Sequence, residues 1–269
     1  MKFLLVVLSF AVAVAAYAPI LTNYHEKIGI PEAARTKRAE EAIDFDGSRI
    51  IGGSRILPKL MQIFIAVTAA HCWMSRSQNG VISQGRSLVV VLGSTNLWSG
   101  GARVTSTNIQ MHASYNMFNL NNDIAMIVIP WVNFNNNINR IAIATGTNTY
   151  AGLWAVAAGY GRVSDGNMSS LASAGNQDKR NVALQVITNA VCASTYGTSV
   201  VNSAVICTST FGGRGVCFGD SGGPLTYGSG NSLRLIGITC FVYANGCERG
   251  FPAGFTRVTS HTSWINARL

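Results

Sequence analysis

The chain has 269 residues, 48% of them hydrophobic and only 12% charged, with a formal net charge of +9 at pH 7. That apolar fraction can fill a sizeable core, which excludes a disordered or low-complexity chain. From residue 50 onward 14 cations face five acids, but the Arg residues are scattered singly, without a basic cluster or an aromatic platform, and this argues against nucleic acid as a partner.

Lys2 precedes an apolar run over residues 3–16, and Ala16-Tyr17-Ala18 places small residues around a cleavage point. The run is shorter than the roughly 20 apolar residues of a membrane span, and polar Asn23, His25 and Glu26 soon follow. Residues 1–18 therefore read as a secretory signal peptide, leaving a protein that is secreted and extracellular, with no membrane partner. Further on, short apolar runs at 88–92, 124–129, 182–187 and 233–241 are bounded by Gly, Asn and Ser. This pattern predicts an antiparallel all-β fold. Residues 260–269 set Trp264 and Ile265 among polar neighbours and predict a closing helix. The six cysteines form no CxxC pair and are widely spaced, which in an exported chain points to disulfides, with no metal site. No cofactor site is visible either.

Three segments carry chemistry. Gly219-Asp220-Ser221-Gly222-Gly223-Pro224-Leu225 puts a serine between glycines. A serine nucleophile needs an exposed hydroxyl on a tight turn, with backbone N–H groups aimed at one point. Val67-Thr68-Ala69-Ala70-His71-Cys72 supplies a histidine, the usual base for a serine hydroxyl. Asp123 opens the apolar run at 124–129, where burial demands a partner. The order His71, Asp123, Ser221 matches one of the known orders of a catalytic triad.

On these motifs the stretch 50–269 resembles the trypsin/chymotrypsin serine protease family, and more loosely the digestive chymotrypsin-like enzymes of insects. The resemblance implies two antiparallel six-stranded β-barrels with the active site between them. It makes His71 the general base, Asp123 the orienting acid and Ser221 the nucleophile, with an oxyanion hole from the N–H groups of Gly219 and Ser221. Arg49-Ile50-Ile51-Gly52-Gly53 resembles the family's activation site. Cutting after Arg49 by a trypsin-like protease would free the Ile50 ammonium to pair with Asp220, so residues 19–49 read as an activation propeptide and 50–269 as the catalytic domain. The specificity pocket corresponds to Gly215 and Val216 at the base and to Val242 and Ala253 on the walls. With no carboxylate there, the preferred substrate side chain is apolar: Leu, Val, Ala or Met before Trp. The resemblance pairs Cys192 with Cys207 and Cys217 with Cys247.

The chain departs from the family in two places. No cysteine lies between Ile50 and His71 to pair with Cys72, and that segment is about half its usual length, so the first barrel reads as truncated. Cys240 stands where the family usually has a serine near the triad acid. Cys72 is expected to point away from the cleft. The implied activity is a digestive endopeptidase acting as a monomer on proteins and peptides, open to protein inhibitors. The competing reading is a non-catalytic homologue acting as a binding module, or an unstable truncated product.

Overall fold

The computed structural model describes residues 53–55, 63–76, 82–84, 87–97, 99–165 and 178–269. The expected leader, propeptide and Arg49-Ile50 junction lie outside the described residues. In the first half, β1 (Gly53–Arg55), β2 (Ile63–Thr68), β3 (Met74–Arg76), β4 (Ile82–Gln84), β5 (Leu88–Leu92), β6 (Ala102–Ser106), β7 (Ile109–Met111) and β8 (Ala125–Pro130) follow one another. They form an antiparallel sheet in the order β1-β2-β8-β7 and two separate pairs, β3–β4 and β5–β6. β1 lies antiparallel to β2 at the edge of the sheet, with Gly53 opposite Ala66 and Arg55 opposite Phe64.

The backbone of this half is the β2–β8 ladder, which runs from Ile63 opposite Pro130 to Thr68 opposite Ala125. The apolar run Ala-Met-Ile-Val-Ile is buried along almost its whole length, as a strand covered on both faces should be. Pro130 donates no ladder hydrogen bond and ends the strand.

The second half closes on itself. It contains β9 (Ala142–Ile143), β10 (Trp154–Gly159), β11 (Arg180–Ile187), β12 (Val205–Thr208), β13 (Pro224–Tyr227), β14 (Arg234–Phe241) and β15 (Ala253–Arg257). The order β13-β10-β11-β12-β15-β14 returns through a β13–β14 pairing, which completes the expected six-stranded antiparallel barrel, while β9 adds in parallel to β14. β10 shows the period of two: Ala155 and Ala157 point in, Trp154 and Val156 out. Leu184, Ile206, Leu225, Ile236 and Phe255 fill the interior.

Among the described residues two short α-helices complete the fold. The first, α1 (Asn189–Tyr196), was not anticipated. Its signals are local: the Thr188 side chain accepts a hydrogen bond from Val191 N, and Gly197 leaves the helix at φ 81°. Its Cys192 is joined to Cys207 of β12, and a second disulfide joins Cys217 to Cys247. The closing helix is shorter than its sequence suggested. A 3-10 turn, Val258–His261, leads into α2 (Thr262–Asn266). Ile265 and Trp264 pack there into a seam of Ile65, Val67, Ile124 and Met126 from the first half and Leu235, Ile238 and Val258 from the second. Among the described residues no helix is long and apolar enough to cross a membrane.

The interior of the barrel sets the first prediction. Phe255 is wholly buried and Val156 is 41% exposed. Phe255→Ala should destabilise the protein by about 3–5 kcal/mol, against under about 0.5 kcal/mol for Val156→Ala, as read by denaturant unfolding.

Candidate active site

The β2–β8 ladder decides where the first two candidate residues meet. β2 ends at Thr68, and the chain passes into a single 3-10 turn, Ala70–Cys72, that carries His71. Asp123 lies just before β8, whose first residue is paired with Thr68. Asn122 adopts φ 55°, and Ile124 N donates to Asn122 O at 2.8 Å. This closes a tight turn centred on Asp123, in a backbone region that Asn tolerates.

The Asp123 side chain is fully buried and grips His71 at two points. Its Oδ1 accepts from His71 N at 2.8 Å, and its Oδ2 meets Nδ1 at 2.6 Å. A carboxylate at Nδ1 selects the tautomer with the proton there and leaves Nε2 as the acceptor. Thr256 Oγ1 of β15 donates to the Asp123 carbonyl at 2.7 Å. Burial disfavours the charged imidazole, but the Asp123 charge, Cys72 and the Asp123 hydrogen bond outweigh it and hold the His71 pKa well above 6.5.

Ser221 sits on a turn built by backbone hydrogen bonds. Asp220 N donates to Cys217 O at 3.0 Å, Gly223 N to Asp220 O at 2.9 Å, and Gly222 N to Thr239 O of β14 at 2.9 Å. Gly219 and Gly222 adopt φ 96° and 77°, which glycine takes without strain. Among the described residues the N–H groups of Gly219 and Ser221 donate to no protein acceptor, so both remain available to an incoming oxygen. Gly222 places this turn against the His71 turn. A Cβ at that position would lie 3.2 Å from Cys72 Sγ and 3.3 Å from Ala69 N, and would run into Thr68 Oγ1. The fold therefore gathers His71, Asp123 and the Ser221 turn at the seam between the halves.

Asp220 points the other way. Its Oδ1 accepts from Gly161 N at 2.7 Å and its Oδ2 from Cys217 N at 2.8 Å. A Cβ at Gly159 would lie 2.9 Å from Asp220 Cγ, and one at Gly161 would lie 2.5 Å from it. Only glycines admit so close an approach. A cavity of about 260 Å³ opens beside this carboxylate, lined by Gly159, Gly161, Gly215 and Val216 among others.

Val216 and Ala253 share one apolar cluster, with Val242 packed against it and against the Cys217–Cys247 bridge. The nearby acids are engaged elsewhere. Asp165 accepts from Cys247 N and Glu248 N at 2.6 and 2.9 Å, and Glu248 Oε2 accepts from Asp165 N at 2.6 Å.

The two cysteines outside the disulfides both lie at the site. Cys240 is buried, with its sulfur within 4.8 Å of donor atoms of His71 and Asp123. Burial first, and then the Asp123 charge, push its thiol pKa well up, so it remains an S–H group. Its sulfur is 4.0 Å from Leu120 O, while the imidazole and carboxylate bond each other. Cys72 corrects an expectation: its Sγ does not point away from the cleft but lies 3.8 Å from His71 Nε2. Neither disulfide tethers it, and the bare Cα of Gly222 leaves it room. The motif reading also missed Gly159, Gly161 and Thr256. The first two had a signal, a Gly-x-Gly at the end of an apolar strand; Thr256 had none.

Residues 60–265 match the family described as Trypsin. A collagenase of Hypoderma lineatum is 37% identical over 207 residues, 74% of this chain and 70% of that protein. Serine protease 1 of Drosophila melanogaster is 37% identical, covering 81% of this chain and 73% of its own length. Brachyurin of Leptuca pugilator is 35% identical, covering 85% and 92%. A solved structure titled as the HL collagenase superposes with a TM-score of 0.66 at 34% identity, covering 80% of this chain and 84% of that one. The chain belongs to the trypsin family of serine endopeptidases.

Proposed function

We propose that the protein is a secreted, digestive-type endopeptidase made as a zymogen, which hydrolyses peptide bonds through an acyl-enzyme on Ser221. The observation that carries this reading is the two-point grip of Asp123 on His71, with Gly222 packed against the same turn. His71 Nε2 takes the Ser221 proton as Oγ attacks the substrate carbonyl. The Gly219 and Ser221 N–H groups receive the developing oxyanion, and His71 then returns the proton to the leaving amine. Water repeats the sequence to release the acid.

Activation uses the other side of the Ser221 turn. Cleavage after Arg49 by a trypsin-like protease frees the Ile50 ammonium, and the cavity beside Asp220 has room for an apolar terminus next to a carboxylate. The charge pairing there shapes the adjacent N–H groups of Gly219 and Ser221. In the specificity pocket, Gly215, Val216, Val242 and Ala253 present no charge. A substrate Lys or Arg would be buried without a partner, since Asp165 and Glu248 are spent on the loop backbone. Small or branched apolar side chains fit, and the enzyme acts as a monomer that protein inhibitors could block.

The test is a fluorophosphonate probe applied to the chain cut after Arg49. Labelling that disappears in Ser221→Ala supports the proposal, and peptides with Leu, Val, Ala or Met before the scissile bond should then be cut faster than those with Trp, Lys or Arg. A folded chain that takes no label is a non-catalytic homologue.

The raised His71 pKa gives a second prediction. The base works only when neutral, so kcat/KM should climb with pH along a limb whose midpoint lies above 6.5. Asp123→Asn should move that midpoint down and cut kcat by about 10⁴-fold. Stability runs the other way. The contribution from protonated His71 is complete below the unfolded pKa of about 6.5 and is lost as pH rises through the folded value.

A further inference from the structure

Cys72 is in neither disulfide and is only partly buried. Its sulfur lies 3.8 Å from His71 Nε2, while Nδ1 of the same ring meets Asp123 at 2.6 Å. The same sulfur would be 3.2 Å from a Cβ on Gly222, the neighbour of Ser221. The Cys72 sulfur thus lies against both the imidazole that Asp123 grips and the turn that carries Ser221.

We propose that Cys72 is a second nucleophile served by the His71 base, and that its modification by low-molecular-weight disulfides silences the Ser221 site. The silencing step rests on the proposed role of His71; the thiol chemistry itself does not need Ser221. Nε2 takes the Sγ proton, and the resulting thiolate attacks one sulfur of R–S–S–R. A Cys72 Sγ–S bond forms as the R–S bond to the other sulfur breaks. R–S⁻ leaves and takes its proton from the imidazolium. Cys72 is oxidised to a mixed disulfide, one sulfur of the reagent is reduced to a thiol, and no other oxidant is needed. The added group then stands between Nε2 and the serine hydroxyl. Disulfides persist in the oxidising compartments to which exported proteins go.

The surroundings favour this cysteine over the other. Among the described residues, Asp123, Cys240, Tyr115 and His261 are titratable groups near the pair. Asp123 is the carboxylate that stabilises an imidazolium beside the Cys72 thiolate. Cys240 is buried beside Asp123, and burial first, then the Asp123 charge, keep its proton in place. Burial likewise pushes the Tyr115 phenol pKa up and that of His261 down, so both are neutral near pH 7.

The experiment uses the full chain carrying Ser221→Ala, treated with dipyridyl disulfide while release of the pyridinethione is followed. One equivalent should be released per chain. At about pH 6 the rate should exceed that of the same chain in denaturant by about tenfold or more, because an ordinary thiol is almost fully protonated there. Peptide mapping should place the adduct on Cys72, and His71→Ala should abolish the advantage. The rate-against-pH profile of the unmutated His71 protein should show a plateau below pH 7 that a lone thiol lacks. A rate equal to that of the unfolded chain, an adduct on Cys240, or a profile rising only with an ordinary thiol pKa would overturn the proposal. In the Ser221 protein cut after Arg49, the adduct should block fluorophosphonate labelling and a thiol reductant should restore it. Labelling that survives the adduct overturns the silencing step. A protein that never labels contradicts the proposed peptidase function, while its thiol kinetics still decide the reactivity of Cys72.

Discussion

A carboxylate with no exposed surface must be matched by donors or by charge, and Asp123 is such a group. Its two oxygens are met by the backbone and ring nitrogens of His71 from the first half of the chain. Its carbonyl is met by Thr256 from the second, and Cys240 of β14 lies beside the same pair. Satisfying one buried acid therefore draws together the turn after β2, the start of β8 and two strands of the closed barrel. The seam core around Ile65, Ile124, Leu235 and Ile238 surrounds this junction with apolar packing, which excludes water and strengthens the electrostatics it encloses.

The shortened segment after residue 50 falls on the far side of that arrangement. His71 is positioned by β2, and β2 is held by β8 along its entire length from Ile63 to Thr68. Among the described residues β1 pairs with β2 from Gly53 to Arg55 at the outer edge. The ladder beneath the site thus stands on pairing between β2 and β8. At the site, the Cys72 sulfur lies 3.8 Å from His71 Nε2.

Much of this was legible in the sequence because the pieces are local. The apolar runs at 88–92, 182–187 and 233–241 correspond to β5, β11 and β14 within two residues, since period and turn residues are short-range signals. His71, Asp123 and the Ser221 heptapeptide announced themselves by residue type and context. What was not legible depends on contacts between distant segments. Gly159 and Gly161 matter because the Asp220 side chain arrives from about 60 residues away. Thr256 matters because β15 passes behind Asp123. The direction of Cys72 is a packing outcome, set by the space left at Gly222. The helix α1 was hidden for another reason: its eight residues, Asn-Ala-Val-Cys-Ala-Ser-Thr-Tyr, carry no strong helical period, and only its caps identify it.

The central claim is that Asp123 and His71 form a buried, hydrogen-bonded pair that sets the state of the imidazole. Proton NMR of the Ser221→Ala chain tests it directly, by following the proton on His71 Nδ1. The account predicts a far-downfield resonance that titrates with a midpoint above 6.5 and vanishes in Asp123→Asn. A His71 ring that titrates like an exposed imidazole, with no downfield proton at any pH, would contradict it.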